Sequence, residues 1–88
     1  MPALIRTFAE TVGTRDNEYR VTAFGEEHDG RWVGWLEFTP LAGGDTRLRT
    51  DHETTQGDRA ALERWAEGLE PVFLEGALGR GSPFGPAT

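Results

Sequence analysis

The side chains best equipped for chemistry sit in two polar stretches, Asp51-His52-Glu53 and His28-Asp29, which together offer imidazole and carboxylate ligands of the kind that bind transition metals. Three consecutive ligands on an extended chain cannot converge, because alternate side chains point to opposite faces, so at most Asp51 and Glu53 would meet. Polar turns collect such residues anyway. Nucleophilic catalysis has less support. The single serine, Ser82, lies outside any Gly-x-Ser-x-Gly elbow, and there is no cysteine. Gly79-Arg80-Gly81 follows a helical stretch and lacks the third glycine of a phosphate cradle. Carboxylate pairs such as Glu26-Glu27 and Glu63 with Glu67 read as solvated charge. No catalytic residue, metal or cofactor is expected. A different cluster has the character of a contact surface: Phe24, Val33 and Trp35, flanked by Arg20 and Glu37, combine aromatic anchors with a charge of each sign.

That cluster depends on a hairpin. Two alternating runs, Tyr19 to His28 and Arg31 to Thr39, flank Asp29-Gly30, a pair that tolerates the positive φ angles of a two-residue turn. The turn sets the register. His28 faces Arg31, and one face then receives Val21 with Phe38, Ala23 with Leu36 and Gly25 with Gly34. The other receives Arg20 with Thr39, Thr22 with Glu37, Phe24 with Trp35 and Glu26 with Val33. The two glycines leave a dent that Trp65 is expected to fill. Thr46 to Thr50 reads as a third strand, with Leu48 inward between Arg47 and Arg49.

The flanking segments read as helices and links. Residues 2–13 fit a helix better than a strand: Leu4, Ile5, Phe8, Ala9 and Val12 share a helical face bounded by Pro2 and Gly13, whereas a strand's Leu4, Phe8 and Val12 face would also carry Arg6 and Glu10, and this helix would either cover the Phe24 and Trp35 face or leave it open. Thr14 to Glu18 and Pro40 to Asp45 are links. A helix begins near Thr55, where Thr55-Gln56-Gly57-Asp58 resembles a capping box, and carries Ala61, Leu62, Trp65, Ala66 and Leu69 inward. Pro71 interrupts it and starts a second short helix over Val72 to Leu78. From Gly79 onward glycines and prolines predominate. The fold class expected is therefore α+β: a three-stranded antiparallel meander packed against C-terminal helices, with an N-terminal helix, in one globular domain of residues 1–80 followed by a mobile tail, 81–88.

Composition bounds the rest. The 88 residues carry 15 acidic and 9 basic side chains, a formal net charge of −6, so phosphate backbones would be repelled and direct nucleic-acid binding is not expected. Partners should be basic or neutral. All nine cations are arginine, the absence of cysteine excludes disulfides, and no apolar run approaches a membrane span, which together suggest a cytoplasmic bacterial protein with no membrane contact.

The string Trp32-Val33-Gly34-Trp35-Leu36-Glu37-Phe38, with Leu48-Arg49-Thr50, Glu53-Thr54-Thr55-Gln56, Leu62, Trp65-Ala66, Gly68-Leu69 and Leu74-Glu75-Gly76-Ala77-Leu78, resembles a group of small bacterial proteins to which no activity is attached. The resemblance covers residues 19–80. A looser similarity of layout is to HicB-like antitoxins, although their proline-glycine-cysteine signature and DNA-binding extension are missing. The expected function is a non-catalytic protein-interaction module whose partner is another protein or a second copy, through Arg20, Phe24, Val33, Trp35 and Glu37. The alternatives are an acidic antitoxin or inhibitor seated in a basic site, and a small enzyme using Asp51, His52 or Glu53.

Overall fold

The computed structural model describes residues 1–14, 16–43 and 46–86, so Arg15 in the first expected link, Gly44 and Asp45 in the second, and the last two residues lie outside the description. Its elements are β1 (Ala3–Thr14), β2 (Asn17–His28), β3 (Arg31–Pro40), β4 (Thr46–Arg49), β5 (Thr54–Gln56), α1 (Arg59–Glu67), α2 (Pro71–Leu78) and β6 (Ser82–Pro86). The strands form one antiparallel sheet in the order β1-β2-β3-β4-β6, with β5 also paired to β3. A six-stranded sheet with two short helices replaces the expected three-stranded meander with an additional N-terminal helix.

The β2–β3 hairpin has the register its turn dictates. Asp29 and Gly30 both have positive φ, at 52° and 80°. Every pair from His28↔Arg31 to Arg20↔Thr39 follows, including Ala23↔Leu36 and Phe24↔Trp35.

The N-terminal segment is the main correction, since residues 3–14 pair with β2 as an edge strand. Two irregularities, between Leu4 and Arg6 and between Thr7 and Thr11, insert extra residues into β1 and reset its phase. Leu4 consequently lies opposite Phe24, Thr7 opposite Thr22, and Val12 opposite Tyr19, while Ile5, Phe8 and Val12 all reach the core. A bulged strand thus reproduces the three-and-four spacing of a helix. The β-branched Ile5, Thr7, Thr11 and Val12 favour the pleated form once a partner strand is available.

Both helices pack on one face of the sheet. Phe8, Val12, Tyr19, Val21, Ala23, Leu36 and Phe38 from the strands meet Ala66, Leu74 and Ala77 from the helices, with Trp65, Leu69 and Phe73 partly buried around them. Each fully buried large side chain, such as Phe38, Leu36 or Leu74, contributes about 1.5–3 kcal/mol. Leu62, not Trp65, occupies the glycine dent: a Cβ on Gly34 would lie 2.6 Å from Leu62 Cδ1, and one on Gly25 would collide with Leu62 Cδ2. One methyl group sits over each glycine. Leu62 and Trp65 share the inner face of α1 about one turn apart, Leu62 fully buried and Trp65 partly so, and α1 starts three residues later than the Thr55 reading implies. Its cap is Asp58, whose carboxylate accepts from the Ala61 amide at 2.8 Å, and Thr55 belongs to β5.

Two C-terminal features also differ from expectation. Thr50 follows the end of β4 and replaces a strand neighbour of Leu36, its Oγ1 accepting from the Leu36 amide at 3.1 Å while its own amide donates back to the Leu36 carbonyl at 3.0 Å. Residues 82–86, assigned by composition to a tail, form β6 against β4, with a register shift beside Pro83. Arg80 anchors this return by donating to Glu53 at 2.7 Å, and the same carboxylate raises the pKa of the Arg80 guanidinium.

Candidate functional site

Because Gly25, Gly34, Leu36 and Phe38 face the helices, strand alternation sends Phe24, Trp35, Glu37 and Arg20 to the opposite face. No helix lies over that outer face among the described residues. Its rows run across the strands: Thr11, Arg20 and Thr39; Thr7, Thr22, Glu37 and Arg49; Leu4, Phe24 and Trp35; Glu26, Val33 and Thr55. All five residues singled out from the sequence therefore share one surface.

At its centre the Phe24 and Trp35 rings stack with centroids 6.5 Å apart at 18°. Trp35 donates from Nε1 to Glu37 Oε2 at 3.1 Å, so Glu37 is committed to its neighbour rather than free for a partner. The Arg49 guanidinium lies 5.9 Å from the Trp35 ring, and the His52 ring lies 5.9 Å from it on another side. These neighbours leave Trp35 only 5% exposed and Val33 7% exposed. They form a floor. Residues 2–13 do not roof it, for β1 extends the sheet sideways and Leu4, 55% exposed, stands beside Phe24.

The hairpin end of the face contains a cavity of about 220 Å³ lined by Glu26, His28, Trp35, Arg49, Asp51 and His52 among others. His28 and His52 meet edge to face with centroids 6.0 Å apart. Glu26 pairs with His28 Nε2 at 3.3 Å and with the Met1 ammonium at 3.3 Å, and these two neighbours hold its carboxyl below the ordinary glutamate value, the hydrogen bond to His28 contributing most. The Asp51-His52-Glu53 triplet lies between strands and does not converge: Asp51 and His52 both line the cavity, His52 against Trp35, while Glu53 turns to Arg80. Among the described residues no group of three or more acidic or histidine side chains is placed to hold a metal ion.

The other end carries features the sequence reading passed over. Arg47 and Arg49 flank inward Leu48 and so project from the outer face, where both guanidinium groups lie over the Phe84 ring, at 4.7 and 5.0 Å. Gly85, whose absent side chain would touch Arg47 Nη2 at 3.5 Å, gives that guanidinium room. Arg47 Nε is buried and has no hydrogen-bond partner among the described residues. Among the described residues Arg20, Arg47 and Arg49 form no ion pair, whereas Arg59 and Arg80 do. The alternation around Leu48 was a usable signal for the two arginines. Phe84 could not have been found, since nothing local shows that a Gly- and Pro-rich segment returns to β4.

No protein-family model matches the chain, and no curated protein or solved structure is similar to it. No helix among the described residues is long and apolar enough to cross a membrane.

Proposed function

We propose that this chain is a non-catalytic protein-interaction module that docks another protein on the outer face of its sheet. The observation carrying this reading is that both helices pack on one face, while the other presents Phe24 and Leu4, a Trp35 floor, and arginines without ion pairs among the described residues. A partly exposed aromatic and an exposed aliphatic side chain rimmed by charge resemble the composition of interface centres. The acidic-inhibitor alternative calls for carboxylates converging on one contact surface, and here Glu37 and Glu26 are occupied by Trp35, His28 and the N-terminus, which leaves Asp51 at the cavity. That arrangement favours the interaction module.

The test is site-specific photo-cross-linking in the source organism, from Thr22 or Thr39 on the outer face and from Val72, 76% exposed on α2, as the control. A discrete product from Thr22 and Thr39, absent from Val72 and lost on Phe24→Ala, supports the reading. Products from Val72 alone, or outer-face products indifferent to Phe24→Ala, would reject it.

A further inference from the structure

The partner's chemistry follows from a mismatch of charge. The chain is acidic by 15 to 9, yet Arg20, Arg47 and Arg49 stand together on the uncovered face without an ion pair among the described residues. We propose that this face recognises an acidic protein segment in extended conformation, with carboxylates seated on Arg47 and Arg49; this rests on the outer face being the docking surface. It reverses the expectation of a basic partner drawn from net charge.

Three observations converge on it. The Arg47 and Arg49 guanidinium carbons lie 4.7 and 5.0 Å from the Phe84 ring centroid, and that of Arg49 lies 5.9 Å from the Trp35 ring, so the rings restrict where the two guanidinium groups sit. Such pre-set forks match carboxylates in bidentate geometry and lose less side-chain freedom on binding. Next, Arg49 is exposed and Arg47 half-buried, and neither has an ion-pair partner among the described residues. Spacing supplies the third. Arg47 and Arg49 are two residues apart on a strand, about 6.6 Å at about 3.3 Å per residue, which is the spacing of alternate side chains in an extended partner. A Glu-x-Glu sequence therefore presents one carboxylate to each arginine.

Competing occupants fit less well. Single-stranded nucleic acid also uses arginines and aromatic rings on open sheets, but a polyphosphate chain extends beyond three arginines onto a surface of net negative charge. A second copy laid face to face would bring two sets of unpaired arginines together. A short acidic segment meets neither obstacle.

The experiment titrates the full chain with acetyl-Glu-Thr-Glu-Thr-Glu-amide, followed by calorimetry, with the Gln-for-Glu peptide and a twelve-residue oligothymidylate as the other arms. The Glu peptide is expected to bind, the Gln peptide to fail, and the oligonucleotide to bind more weakly. Arg47→Gln and Arg49→Gln should each weaken the Glu peptide roughly tenfold or more, the range for charged hydrogen bonds. Glu37→Gln should strengthen binding, a gain that misfolding cannot imitate. Raising salt from about 0.1 to about 1 M, where the screening length falls from about 10 to about 3 Å, should weaken it further. Equal binding of both peptides, binding indifferent to Arg47→Gln and Arg49→Gln, or tighter binding of the oligonucleotide would each overturn the proposal. If the Glu peptide fails while Thr22 still cross-links a partner in a Phe24-dependent way, the acidic identity falls and the docking face stands. Loss of both removes the face itself.

Discussion

Gly34→Ala is the most informative perturbation of the packing that positions the outer face. Neither Gly25 nor Gly34 has a positive φ, so what these positions require is space. The new methyl on residue 34 would lie 2.6 Å from Leu62 Cδ1 and 3.2 Å from Thr54 Cγ2, against an ordinary carbon contact of about 3.5–4.0 Å. Leu62 is fully buried, and swinging Cδ1 away drives Cδ2 toward Gly25. Overpacking of this kind costs about 1–3 kcal/mol, offset by about 0.4–1 kcal/mol because alanine restricts the unfolded chain. Leu62→Ala alone empties the dent and should cost about 2.7–5 kcal/mol. In the double variant the alanine methyl occupies part of that void, so the combined loss should fall short of the sum by about 0.5–3 kcal/mol. Urea denaturation followed by tryptophan fluorescence measures all four chains. Additive losses, or a stabilised Gly34→Ala, would refute the knob-in-dent reasoning.

Three further outcomes are expected. Thr50→Val leaves the buried Leu36 amide without its acceptor and should cost about 1–3 kcal/mol in the same denaturation assay, whereas Thr50→Ser should retain most of the stability. Glu26 has a folded-state pKa below its usual 4.5, so its pairing with His28 and the N-terminus is present above the ordinary glutamate range and is lost as pH falls through the lowered pKa; a carboxyl-resolved NMR titration should place Glu26 below the other exposed glutamates, and His28→Gln should move it upward. Trp35→Ala should lose about 3–5 kcal/mol, because the ring is buried within the chain itself, while Phe24→Ala, only partly buried, should give a thermal melt much closer to the parent and serve as the usable interface probe.

What the sequence disclosed follows the range of the forces involved. The hairpin register was legible because Asp29-Gly30 fixes it locally and alternation carries it outward to Arg20 and Thr39. Pro71 marked the start of α2 for the same reason. The edge strand was not legible, since its two bulges, which impose helix-like spacing on Ile5, Phe8 and Val12, exist only in partnership with β2. Leu62 and Trp65 lie about one turn apart on the same apolar face of α1, so helical periodicity alone did not say which of them meets Gly25 and Gly34. The candidate face was half visible. Arg20, Phe24, Val33, Trp35 and Glu37 share it through the hairpin, but the arginine pair acquires its aromatic support from Phe84, whose position depends on long-range pairing of β6 with β4. Net charge sums over a chain and says nothing of which face the arginines share.

The most direct test is a map of amide and indole NMR shifts as isotope-labelled protein is titrated with acetyl-Glu-Thr-Glu-Thr-Glu-amide. The account predicts changes confined to the outer face, at Arg20, the Trp35 indole N–H, Glu37, Arg47, Arg49 and Phe84, with α1 and α2 unmoved. Shifts centred on the helices, or none along β3 and β4, would contradict it.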